Sequence, residues 1–150
     1  MEAFHLALLW GADVLETDVR LSRDKQVVVI HDARVDRTCN GRGAVSDLTL
    51  RALKQLDAGY HFTDLNGRRS RGDNVGLTSL AELLEHFPAT RINIDIKDNC
   101  YEAENSEANL IQHNNRPHNI KDGSFQPNAV DMYRQIDPHI KTNETQVQSA

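Results

Sequence analysis

GADVLETDVRLSRDKQVVVIHDARVDRTCNGRG, residues 11–43, is the stretch that decides how this chain folds. From Asp13 to Leu21, Leu15, Thr17, Val19 and Leu21 alternate with Glu16, Asp18 and Arg20. Side chains alternate across a strand, so this spacing predicts a strand with Glu16 and Asp18 on one face. In an ordinary half-exposed strand that face would meet water. In a closed parallel barrel it faces the interior, where acids near a strand's C-terminal end line the active site. The next run, Gln26 to Ile30, is nearly all Val and Ile. Continuous β-branched residues fit a strand buried on both faces, read here as a parallel strand. His31 and Asp32 end that run, where a parallel strand delivers functional groups.

A second acidic strand follows much later. In Arg91 to Lys97, Ile92, Ile94 and Ile96 take one face, and Asn93, Asp95 and Lys97 the other. Three carboxylates from two strands would make an oxygen-donor site for a hard cation, with open positions for water and phosphate. Lys97 would then partner a phosphate oxygen or Asp95. The plain alternative is a surface strand with an ion pair and a wet acidic face.

From Met1 to about Lys97 the text resembles the glycerophosphodiester phosphodiesterase family. The likeness runs through MEAFHLALLWGADVLETDVRLS, VVVIHD, DRTCNGRG, SDLTLRALKQLDAGYHF and RINIDIKD, in that order. A weaker likeness continues through GSF at 123–125. The resemblance implies an α/β fold, a (β/α)8 barrel, and hydrolysis of glycerophosphodiesters to glycerol phosphate and an alcohol. It also implies a divalent cation, Mg2+ or Ca2+. By the same resemblance Glu16 and Asp18 match the first two metal-binding carboxylates, and His31 the catalytic histidine. Asp95 stands where the family usually has a third metal-binding glutamate, and Lys97, the candidate substrate-binding residue, matches the lysine two residues on. Thr78 stands where the family commonly has proline.

The family's first barrel strand carries a His-Arg-Gly motif followed by a Glu-Asn-Thr loop, and Met1 aligns just after that loop. The histidine of that motif normally pairs with His31 as acid and base, and its arginine binds phosphate. A full barrel of this type needs about 250 residues, against the 150 here. The expectation is therefore a partial barrel without its first and last strands, with exposed apolar faces and unpaired edges. As a catalyst this polypeptide is expected to be weak or inactive. Residues 1–98 read as the family-like core and 99–150 as a polar, weakly matching continuation, decayed or disordered. Two alternatives stay open beside the phosphodiesterase. One is an inactive relative or cation-binding module; the other, more distant, is a sphingomyelinase D-like phospholipase.

Composition narrows the partners. Net charge is −5 with no basic run, which argues against nucleic acid. No apolar run approaches the ~20 residues that span a bilayer. The negative charge also fits poorly with binding to an anionic membrane, so a soluble substrate is the simpler partner. No N-terminal signal peptide is visible, though a truncated start would hide one. Cys39 and Cys100 show no metal-type or redox spacing, so a reduced cytoplasmic setting is the default. Strands are expected near 13–21, 26–31 and 91–97, with poor candidates near 118–124 and 139–144. Helices are expected over Met1–Trp10, stopped by Gly11, and over Leu48–Leu56, capped by Asp47. Further helices are expected over Leu80–His86, with a Ser79/Glu82 capping box, Glu102–His113 and Asn128–Ile136. Residues 59–76 read as a long polar loop; the resemblance implies a place near the barrel mouth, where Phe62 or Arg71 would touch substrate, but a plain solvated loop is the favoured reading for each.

Overall fold

The computed structural model describes residues 1–73, 75–98, 101–113, 120–122 and 141–142. Its frame is a sheet formed by β1 (Val14–Leu21), β2 (Val27–Val29), β3 (Arg91–Ile96), β4 (Ile120–Asp122) and β5 (Lys141–Thr142). The spatial order is β2-β1-β3-β4-β5. The pairs β1·β3, β3·β4 and β4·β5 are parallel, as in a barrel wall. Helices α1 (Glu2–Leu9), α2 (Leu50–Leu53), α3 (Leu80–His86) and α4 (Tyr101–His113) accompany it. This is an open segment of an α/β barrel. No described helix is long and apolar enough to cross a membrane.

The β1 alternation does what its sequence predicts. Leu15, Val19 and Leu21 are buried with Ile92, Ile94 and Ile96 of β3 and with Leu80, Leu83, Leu84 and Phe87 around α3. Ala103 and Ile111 of α4 join the same core. The opposite faces of both strands are thereby left to Glu16, Asp18, Asn93 and Asp95. The register sets Glu16 beside Asn93 and Asp18 beside Asp95.

The β-branched run differs from expectation in direction. β2 is antiparallel to β1, with Val19 opposite Val29 and Leu21 opposite Val27. The reason is length. Ser22 to Gln26 is enough for a hairpin, whereas a parallel return needs a crossover of about a dozen residues or more. The turn closes through Ser22 N–H to the Gln26 carbonyl at 2.9 Å, with Lys25 at φ 59°. Burial of both faces holds, because Val27 enters the sheet core and Val28 a second core. That second core joins Val28, Ile30, Val35, Cys39, Val45 and Leu53 beneath the following loop.

Helix ends follow their capping chemistry. Gly11 at φ 93° closes α1, with its N–H on the Leu8 carbonyl and the Ala12 N–H on the Ala7 carbonyl. The helix expected over Leu48–Leu56 is shorter, and Thr49 rather than Asp47 caps it by accepting the Ala52 N–H at 3.2 Å. Asp47 instead ends a 3-10 turn, Val45–Asp47. Both halves of the Ser79/Glu82 capping box are present. The helix expected over Asn128–Ile136 lies outside the described residues, as do Cys100 and the GSF segment. Residues 59–76 contain neither helix nor strand among the described positions.

Burial alone would raise the Glu82 carboxyl, but hydrogen bonds from Lys54 and Ser79 outweigh it and push it down to about 2. A carboxyl depressed on folding adds stability above its ordinary pKa of 4.5, and that stability disappears as pH falls through about 2. Half-exposure limits the ion-pair share, so the whole device contributes roughly 1 kcal/mol. Glu82→Gln should therefore lower the melting temperature slightly at pH 7 and flatten its fall over that acid window. Circular dichroism melts of both proteins from pH 7 to pH 2 check this; parallel curves would contradict it.

Candidate active site

The inward faces of β1 and β3 and the loop after β2 meet at one mouth of the sheet. β1 supplies Glu16, Asp18 and Arg20; β3 supplies Asp95, then Lys97 and Asp98 just past its end. The Lys97 ammonium donates to Asp95 Oδ2 at 2.6 Å and lies 2.9 Å from Asp18 Oδ1. Those two bonds, Asp95 first, raise the Lys97 pKa above its ordinary value. Glu16 extends the acidic face toward solvent. Desolvation, then the charges of Asp18 and Asp95, raise its carboxyl, against the opposing charges of Lys97 and His31.

The loop after β2 carries the histidine. The Ile30 N–H donates to the Asp18 carbonyl at 3.0 Å, which ties the end of β2 to the acidic strand. His31 is exposed, and its Nδ1 lies 2.9 Å from Asp32 Oδ1. Arg37 grips the same carboxylate, Nε to Oδ2 at 2.5 Å and Nη2 to Oδ1 at 3.1 Å. The Arg37 bond first, then His31, holds the Asp32 carboxyl well below the usual carboxylate range. An ionised carboxylate only accepts, so His31 Nδ1 is the donor and the neutral ring keeps Nε2 as its free acceptor.

Sequence reasoning placed Arg20 on the polar face but gave it no task. Its Nε donates to the His31 carbonyl at 2.8 Å, and its Nη1 to Asp98 Oδ1 at 2.7 Å and to the Lys97 carbonyl at 3.4 Å. Asp98 Oδ2 in turn accepts the Leu21 N–H at 2.6 Å. One guanidinium thus joins the segments that carry Asp18, His31 and Lys97. The signal in the sequence was the unbroken alternation Glu16, Asp18, Arg20, which puts a cation on the acidic face.

The structure brings Asp18, Asp95 and Lys97 into direct contact and sets Glu16 on the same face. His31 shares the mouth but forms no hydrogen bond with the three acids among the described residues. Phe62 is exposed, and Arg71 lies 3.9 Å above the Tyr60 ring, both within the polar loop. Cys39 is a free buried thiol whose pKa burial pushes up. As donors, Glu16, Asp18 and Asp95 suit a hard divalent cation, which takes oxygen ligands. The fit is one of chemistry, because no three His, Cys, Asp or Glu side chains among the described residues are gathered closely enough to hold an ion. Lys97 takes up Asp18 and Asp95 instead.

Removing Arg20 should cost about 1–3 kcal/mol, the range for charge-assisted hydrogen bonds in partly buried surroundings. In a double-mutant cycle, Arg20→Ala and Asp98→Ala should each destabilise the chain, and together by less than their sum. Urea unfolding supplies the three free energies; strict additivity would contradict the clamp.

A model of the glycerophosphoryl diester phosphodiesterase family matches residues 1–149. The glycerophosphodiester phosphodiesterase of Caldanaerobacter subterraneus subsp. tengcongensis is 35% identical over 144 residues, which is 93% of this chain and 57% of that protein. A crystal structure of glycerophosphodiester phosphodiesterase from Agrobacterium tumefaciens superposes with a TM-score of 0.78 at 31% identity, covering 94% of this chain and 58% of that one. An Oleispira antarctica phosphodiesterase, solved in complex with the product sn-glycerol-3-phosphate, superposes with a TM-score of 0.76 at 25% identity, covering 94% of this chain and 57% of that one. The chain spans little more than half the length of these relatives. On the extent of the family match, this chain belongs to the glycerophosphoryl diester phosphodiesterase family.

Proposed function

We propose that this chain carries the cation-binding and proton-transfer parts of a site that hydrolyses glycerophosphodiesters to glycerol phosphate and an alcohol. The observation that carries the reading is the joint placement of Glu16, Asp18 and Asp95 on one inward face, with Lys97 between two of them. His31 stands at the same mouth, with its Nδ1 committed to Asp32. The named relatives support the reaction class.

In this reading Glu16, Asp18 and Asp95 hold Mg2+ or Ca2+. When bound, such an ion supplies Lewis-acid polarisation of a phosphoryl oxygen and offsets charge there. Lys97 turns from the acids to a non-bridging phosphate oxygen, where its fixed positive charge orients the ester. His31 Nε2 exchanges a proton with an ester or attacking oxygen. It gives a proton to the departing alkoxide as general acid, or takes one from the attacking water as general base, and solvent serves the other transfer. Water enters the phosphate as the P–O bond to the alcohol breaks, so the products are glycerol phosphate and that alcohol.

Two measurements test this. With glycerophosphocholine and Mg2+ or Ca2+, phosphorus NMR should show a slowly growing glycerol phosphate signal that chelation, Glu16→Ala and His31→Ala each abolish. A folded chain that binds the ion and leaves the diester intact would make it a cation-binding module instead.

Lys97→Ala gives an independent check. It removes the amine that competes for Asp18 and Asp95, so calorimetry should show several-fold tighter Ca2+ binding while turnover falls. Unchanged affinity would mean that the ion does not use those two acids.

A further inference from the structure

We propose that Arg37 is a positioning residue for His31. By gripping both oxygens of Asp32 it fixes that carboxylate on His31 Nδ1, which leaves Nε2 to face a phosphate-ester oxygen. The inference rests on the reading of His31 as the proton-transfer group, and extends it to a residue outside the acidic face.

The geometry is a three-part relay. Asp32 Oδ1 takes the His31 Nδ1–H and a second bond from Arg37 Nη2, while Oδ2 takes Arg37 Nε. A carboxylate held at a single point turns about its last torsion. Two parallel bonds from a planar guanidinium fix the plane of the group, which a lysine ammonium does not do. The fork therefore sets the direction in which Asp32 meets the imidazole.

The loop that presents Arg37 is itself anchored. The Cys39 N–H donates to the Val35 carbonyl at 2.9 Å, the Val35 N–H to Gly43 at 3.0 Å and the Val45 N–H to Ala33 at 2.9 Å. Val35, Cys39 and Val45 are buried in the second core. On the other side Arg20 holds the His31 carbonyl. Backbone and Nδ1 are thus fixed from opposite directions.

The charged groups around His31 are Asp32 and Arg37 from its own loop, and Arg20 and Glu16 from β1.

Long-range proton–nitrogen NMR of His31 tests the proposal without any need for turnover. In the wild-type chain the neutral ring should carry its proton on Nδ1. Arg37→Ala should shift the neutral ring toward the Nε2–H tautomer. Arg37→Lys should leave the tautomer shifted, because the charge returns but the fork does not. A merely structural role would move loop backbone signals in both variants without changing the tautomer. Asp32→Ala is the second variant, and should release the tautomer. A wild-type ring protonated on Nε2, or an unchanged tautomer in both Arg37→Ala and Asp32→Ala, would overturn the proposal. Absent diester hydrolysis with these NMR results intact would count against the proposed reaction and not against the relay.

Discussion

The candidate site depends on the ion pair between Arg20 and Asp98. Strand pairing fixes Glu16 and Asp18 of β1 against Asn93 and Asp95 of β3, but it ends at Val19 and Ile96. Beyond Ile96 the chain is held by the Lys97 N–H on the Val19 carbonyl and by Asp98 on the Leu21 N–H. Arg20 adds the third segment by reaching the His31 carbonyl while paired to Asp98. Both charged side chains are largely shielded, 16% and 25% exposed, so their attraction is screened less than a surface pair's. With the Ile30 N–H on the Asp18 carbonyl, that tie keeps Lys97 and His31 at the mouth beside the acidic face.

Much of the fold was legible because the periodicities are clean. Leu15, Val19 and Leu21 against Glu16, Asp18 and Arg20 gave both strand and facing, and the isoleucines of β3 gave the neighbouring strand. The capping box at Ser79 fixed the start of α3 to the residue. The direction of β2 was misread because a Val-rich run buried on both faces suits a parallel strand by composition. The short connection from Leu21 to Val27 was the stronger constraint. The Asp47 cap failed for a local reason. Thr49 stands one residue before the helix and offers its hydroxyl to the Ala52 N–H, while Asp47 belongs to the preceding 3-10 turn.

The candidate site was legible by face rather than by contact. Alternation puts Asp18 and Asp95 on one side, but only the register Asp18↔Asp95 and the reach of Lys97 make them a contact group. The partners of Arg20 and Arg37 were hidden for a related reason. Each acts through a carboxylate, Asp98 or Asp32, and no periodicity states which acid an arginine will find. The approach of Lys97 to Asp95, two residues along the same face, was the easiest pair to foresee.

At the mouth of the sheet three acids face one lysine, with His31 beside them. On the proposed reading Glu16, Asp18 and Asp95 respond together to one divalent cation. A Ca2+ titration followed by carbon NMR of the side-chain carboxyls reads that response. One shared ion should shift the three signals along one saturation curve while the Lys97 amine signal moves away from its paired position. Independent curves, or a Lys97 amine that stays paired as the carboxyls remain still, would contradict it.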